Sequence, residues 1–164
     1  MFFKKKQKPF SWDKAFIVIG SVFLVAFIGG LMTDIGSWYN QLPKIALQPP
    51  RWVFGPVWTL LYILTGWSAL TLWETPKADE KKLRATLFTF IANGILNVLW
   101  SFIFFTMKDV SKAFMEITVL WFSIVVMIVL AKSINKKAAW MLVPYLLWVS
   151  FATFLNLSFV LAMN

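Results

Sequence analysis

Charge falls in short intervals along this chain, and long uncharged apolar runs lie between them. Residues 15–33, 53–73, 85–107 and 138–164 carry no Asp, Glu, Lys or Arg, and 113–131 carries only Glu116. A spanning helix needs roughly 20 mostly apolar residues. The pattern therefore predicts an all-α integral membrane protein: a single five-helix transmembrane domain over residues 13–164, behind a basic leader over 1–12. The first run is long for the apolar part of a signal peptide and no A-x-A site follows it, so a retained helix is expected. The interval near 34–52 is the longest connection. Within it Trp38, Leu42 and Ile45 or Ala46 are spaced like one face of a short interfacial helix. The last two intervals are tight, which predicts that the helices they join pack as antiparallel neighbours.

Composition agrees with this class. The chain is 60% hydrophobic over 164 residues, above the 45–50% or so of soluble domains. Its net charge of +9 suggests nucleic acid only until the charges are placed. Lys4, Lys5, Lys6, Lys8, Lys14, Lys77, Lys81, Lys82, Arg84, Lys132, Lys136 and Lys137 fall on the side of the N-terminus. Only Lys44, Arg51, Lys108 and Lys112 fall on the other. The positive-inside rule then puts the N-terminus in the cytoplasm and the C-terminus outside, with the bilayer and its anionic headgroups as partner rather than nucleic acid. Cysteine and histidine are both absent, so no disulfide forms. A Lys-rich, Arg-poor chain without Cys or His points to a bacterial plasma membrane.

Few polar groups interrupt the runs. Glu116 lies near the outer start of the fourth helix, where the helix dipole favours an anion; no ionisable relay of the kind that drives proton-coupled transport is visible. Asn93 and Asn97 share a helix face that Trp100 and Ser101 extend. Phe54, Trp58 and Tyr62 repeat the spacing on the second helix, and Pro144, Trp148, Ala152 and Asn156, with Leu155 beside them, on the fifth. Two readings fit. The faces are helix–helix contacts in which Asn bonds across the bundle, or they converge on an apolar, aromatic pocket with few polar anchors. Residues 38–62, WYNQLPKIALQPPRWVFGPVWTLLY, suggest a structured lid or wall over a binding site. Pro43, Pro49, Pro50 and Pro56 each fix φ, giving the chain a set shape beside Trp38, Trp52 and Trp58, as a lid over a site requires.

The segment W-Y-x-x-L-x-K-(x)4-P-P-x-W-V-F-x-P-V-W-T-x-L-Y resembles the signature of the TspO/MBR family, the translocator proteins. Leu96-Asn97-x-x-Trp100-Ser101 with Phe104-Phe105 is similar to that family's third helix, and Pro144-Tyr145-x-x-Trp148 followed by Ala152-Thr153-x-Leu155-Asn156 to its fifth. The resemblance covers nearly the whole chain from the first helix onward. It implies a five-helix bundle, often dimeric, with a pocket under loop one that takes porphyrins, protoporphyrin IX above all, and other hydrophobic small molecules. By motif it implies Tyr39, Asn97, Trp100, Ala152 and Leu155 as ligand-lining, with Phe151 beside them, and Pro50 and Trp52 as shaping the lid. It implies Trp58 and Trp148 as the tryptophans of a light-driven porphyrin breakdown. Two departures stand out. Ile45 follows Lys44 where the family has proline, with Pro43 preceding instead, so the lid turns differently. The sterol motif is absent, since LSFVLAMN after Asn156 holds no Tyr, Lys or Arg.

Chemistry narrows the ligand. Indole and phenyl faces suit a flat macrocycle, and Lys44 and Arg51 are placed to meet its propionates. Without His or Cys the usual strong axial ligands of haem iron are missing, so metal-free porphyrin is the better candidate and no metal site or required cofactor is expected. No Cys or His exists to act as nucleophile or imidazole base, and no paired carboxylates lie in the bundle; any chemistry comes from the excited pigment and oxygen. A passive tetrapyrrole carrier and a stress-signalling or assembly protein are the alternatives.

Overall fold

A computed structural model describes residues 11–45 and 47–163; most of the basic leader, and Ala46, lie outside these. The apolar runs form helices α1 (Trp12–Met32), α3 (Phe54–Trp73), α4 (Glu80–Ser101), α5 (Val110–Ile134) and the pair α6 (Lys136–Met141) and α7 (Val143–Met163). A short α2 (Ser37–Gln41) lies in loop one. With their terminal turns they make five segments long and apolar enough to cross a membrane.

Side chains at the interruptions set the ends. Asp79 accepts the Lys82 N–H and Asp109 the Lys112 N–H, each at 2.9 Å, starting α4 and α5. Asn135 accepts from Lys137 and Ala138 at 3.0 and 3.3 Å, starting α6. These side-chain caps satisfy donors that a helix start leaves open. The Lys112 ammonium, 2.8 Å from the Asp109 carboxylate, holds that carboxyl below its usual range, and the capped backbone N–H adds to the effect. The last apolar run, uniform in sequence, breaks at Leu142. Pro144 has no N–H for the Trp140 carbonyl and its ring crowds it, so the turn tightens, with the Leu142 N–H on the Ala139 carbonyl at 3.1 Å.

The helices pack as a ring. α1 leans on α3 and α4; α4 packs on α5, α5 on α7, and α6 closes back on α3. The two tight connections thus join packed antiparallel neighbours. α3 barely touches α4 or α7, and that gap creates the cavities described below. The core follows α5, where Ile117, Leu120, Ile124 and Met127 are at most 1% exposed. Such positions, i, i+3, i+7 and i+10, form one stripe.

Two local expectations differ. The loop-one helix stops at Gln41, because Leu42 precedes Pro43 and is driven to extended backbone (φ −60°, ψ 146°). Trp38, Leu42 and Ile45 still meet one apolar cluster with Phe104, Phe105 and Phe159, reached by the path of the loop rather than one helix face. Glu116 sits about 10 Å along α5 from its cap Asp109, at 1.5 Å per residue. It is buried and neither carboxylate oxygen has a hydrogen-bond partner. The dipole's influence is confined to the first turn, and Asp109 occupies that place.

Candidate functional site

Under loop one, where α3, α4 and α7 stand apart, lies a cavity of about 480 Å³. A ligand site of small-molecule size is about 300–1,000 Å³. Each wall traces to a sequence face. From α3 come Phe54, Trp58 and Tyr62; from α4, Asn97 and Trp100; from α7, Trp148, Ala152 and Leu155. Loop one adds Tyr39, Arg51 and Trp52. Three of the sequence candidates stand outside the lining. Lys44 and Pro50 are exposed, Pro50 accepting the Val53 N–H at 3.0 Å in the turn that leads into α3. Phe151 packs behind the wall, its ring 5.7 Å from that of Trp148.

The walls are aromatic and mutually braced. Phe54 meets Trp148 edge-on at 5.7 Å, and Trp58 lies 5.5 Å from Tyr62. Trp100 stacks on Phe104 at 5.2 Å and meets Phe105 edge-on at 5.9 Å. Offset and edge-to-face geometries at these distances are the favourable ones. Phe104 and Phe105 are consecutive, yet both line the cavity beside Trp100 and Ser101. On a regular helix successive residues point about 100° apart. Here α4 widens into a π turn over Phe102–Thr106, with the Met107 N–H on the Phe102 carbonyl five residues back at 2.9 Å. Such turns occur often at functional sites. No spacing rule in the sequence announces this one, which is why the two phenylalanines were legible only as part of a motif.

The lid is held from below. Gln48 donates to the Tyr39 hydroxyl at 2.9 Å, and the Arg51 guanidinium lies 5.6 Å from the Tyr39 ring. Arg51 is the only charged side chain among the described residues of the lining. Helix α1 also contributes, which the spacing of the aromatic faces did not indicate. Gly29 is buried against the site, where a Cβ would meet the Tyr62 hydroxyl at 3.8 Å and Ser101 Oγ at 3.9 Å. The paired small residues Gly29 and Gly30 are its signal in the sequence.

The floor is polar and joined up. The Tyr62 hydroxyl donates to Asn97 Oδ1 (2.8 Å) and Asn97 Nδ2 to the Tyr145 hydroxyl (3.3 Å). Tyr145 donates to Asn93 Oδ1 (3.0 Å) and Asn93 Nδ2 to Ser123 Oγ (2.8 Å). Ser123 ends the chain on the Leu120 carbonyl at 2.6 Å. Nearby, Trp100 Nε1 donates to Asn156 Oδ1 (3.2 Å), whose amide donates to the Val110 carbonyl (2.9 Å). Buried polar groups are tolerable when partnered in this way. The asparagines therefore tie the helices together, and Asn97 and Asn156 also line the cavity while Asn93 lies outside its lining. Trp148 Nε1, by contrast, is buried with no partner.

Among the described residues no group of His, Cys, Asp or Glu is placed to hold a metal ion. What the arrangement offers is an aromatic-walled cavity with, among the described residues, one cation in its lining.

A model of the TspO/MBR family matches residues 17–161. The chain is 35% identical over 138 residues to the tryptophan-rich protein TspO of Archaeoglobus fulgidus, covering 83% of this chain and 88% of that one. It is 37% identical over 143 residues to the protein of the same name in Chlorobaculum tepidum, covering 85% and 89%. A tryptophan-rich sensory protein of Cereibacter sphaeroides is 31% identical over 127 residues, 77% of each chain.

Proposed function

The chain belongs to the TspO/MBR family and is an integral membrane protein; from that premise we propose that it is a receptor whose loop-one cavity binds flat anionic tetrapyrroles, protoporphyrin IX in particular. One observation carries the reading: the cavity's walls are indole and phenyl faces braced against one another, and Arg51 is the single charge among the described residues of its lining. A macrocycle buries its two faces against such walls, and its carboxylates stay at the wet rim beside a guanidinium. The name of the Cereibacter relative, a tryptophan-rich sensory protein, supports a receptor over an ordinary enzyme. So does a chain with neither His nor Cys, which has no imidazole base or thiolate.

Any breakdown of the pigment draws its chemistry from light, the pigment and dioxygen. In that reading Trp58 and Trp148, from α3 and α7, are the lining residues placed to exchange electrons with it. The test uses tryptophan fluorescence of the purified protein titrated with protoporphyrin IX in the dark, followed by illumination. Saturable quenching is expected, weakened in Trp148→Phe, together with bleaching faster than that of the free pigment and slowed in Trp58→Phe and Trp148→Phe. Quenching that rises linearly without saturation would remove the receptor reading. Bleaching equal to that of the free pigment removes only the photochemical part.

A further inference from the structure

A second cavity, about 580 Å³, runs between α1, α3 and α4 toward the basic end of the bundle. It exists because α3 and α4 scarcely touch and α1 bridges them. Gly66 and Gly94 let α1 come close: a Cβ at either would meet Val22 Cγ2 at 3.1 Å or Val25 Cγ2 at 3.0 Å. Along α3 the cavity reaches from Trp73 to Trp58, about 22 Å at 1.5 Å per residue. One leaflet of hydrocarbon is about 15 Å deep, half of a 30 Å core.

Most of its polar wall atoms are committed elsewhere, the Thr65 hydroxyl being an exception among the described residues. Ser21 Oγ donates to the Ile17 carbonyl at 2.8 Å, and Tyr62, Asn93, Asn97 and Tyr145 are bonded within the chain described above. A water in a cavity needs two to four polar partners, so this one is suited to hydrocarbon instead. Its rim residues Ile17, Leu24 and Ile91 are exposed, which opens it sideways onto lipid. At the basic end Lys14 Nζ donates to the Trp73 carbonyl at 2.9 Å and lies 5.7 Å from the Trp73 ring. Lys14 is paired with no carboxylate among the described residues, and its ammonium has two further hydrogens to give.

We propose that this groove is a specific lipid site: it takes one acyl chain of an anionic phospholipid from the leaflet at the bundle's basic end, with the chain along α3 from Trp73 toward Trp58 and the phosphate at Lys14. The occupant's tip then reaches Trp58, Tyr62 and Asn97, which also line the loop-one cavity. The site stands independently of what the outer cavity binds.

The test is a titration of the detergent-solubilised protein with dioleoylphosphatidylglycerol, followed by native mass spectrometry. One tightly held lipid per chain is expected, with dioleoylphosphatidylcholine held roughly fivefold more weakly, the scale of a single exposed charge contact. Lys14→Gln removes that preference. Thr65→Phe, which fills the wall, lowers occupancy by both lipids about tenfold, while protoporphyrin IX quenching stays as in the wild-type protein. Ile91→Trp, at the exposed rim where folding is least at risk, gives the same loss by narrowing the entrance. A diazirine at the end of the acyl chain should cross-link to α3 and α4 residues of the groove. A graded series of bound lipids, equal for the two headgroups and unmoved by Thr65→Phe and Ile91→Trp, overturns the proposal. So do cross-links spread over the outward faces of all the helices.

Discussion

The hydrogen bond from the Tyr62 hydroxyl to Asn97 Oδ1 closes the floor of one cavity and walls the end of the other, so removing it is the most informative single perturbation. Asn97 is 3% exposed and makes two bonds, the short one to Tyr62 at 2.8 Å and a longer one to Tyr145 at 3.3 Å. In membrane bundles an interhelical bond of this type contributes about 0.6 kcal/mol on average and about 1.7 at most. The short bond belongs in the upper half of that range and the long one near the mean. Asn97→Leu is therefore expected to cost about 1–3 kcal/mol, since it also leaves the Tyr62 hydroxyl without its acceptor. Tyr62→Phe keeps the ring against Trp58 and should cost less, about 0.6–1.7 kcal/mol. The double variant isolates the bond. Unfolding titrations in mixed micelles, read by circular dichroism, should give a coupling of about 0.6–1.7 kcal/mol between the two sites. Strict additivity, within about 0.3 kcal/mol, would mean that the hydroxyl and the amide do not share a bond in the membrane protein, and the floor described above would be wrong.

Three further outcomes follow from the same geometry. Gly94→Leu must displace Val25 and with it α1, so thermal unfolding should drop by the equivalent of about 1–3 kcal/mol, whereas Gly94→Ala asks only a small shift of one methyl group. Arg51→Gln should weaken protoporphyrin IX binding by about 1.4- to 5-fold, the worth of an exposed ion pair at about 0.2–1 kcal/mol; Lys44→Gln, exposed and outside the lining, should leave it unchanged, and equal losses in fluorescence titrations would refute Arg51's special place. Asp109 has its pKa lowered in the folded protein by Lys112, so its ionised form favours folding at neutral pH. That contribution fades as pH falls below the usual value of 3.8 and through the lowered one. Asp109→Asn keeps a capping oxygen and removes the charge, so its melting temperature should fall below wild type at pH 7 and converge with it as pH falls through the lowered pKa of Asp109.

The structure is legible in this chain where the physics is local and hidden where it is not. The uncharged runs at 15–33 and 53–73 need only their length to be helices in lipid, since every backbone group must be satisfied within the segment. The faces Phe54–Trp58–Tyr62 and Asn93–Asn97 follow from 3.6 residues per turn. The break at Leu142 follows from Pro144, but the uniform apolarity of 138–164 presents one continuous run. Lys44 and Arg51 looked alike as loop cations, because which of them turns toward the cavity depends on a path fixed by Pro43, Pro49 and Pro50 together with the anchoring of Tyr39 by Gln48.

Hydropathy and proline act residue by residue, so the five spans and the aromatic, proline-rich segment of loop one follow from the chain alone. Tertiary packing sets α3 off from α4 and α7, with α1 filling part of the gap. It alone brings Phe104 and Phe105 into one wall through a π turn, and joins two cavities at Tyr62 and Asn97. Those are matters of how helices of nearly uniform apolarity choose neighbours. In lipid no hydrophobic gradient makes that choice; close packing at glycines and a few interhelical hydrogen bonds do, and their partners are 29 to 74 residues apart in the chain.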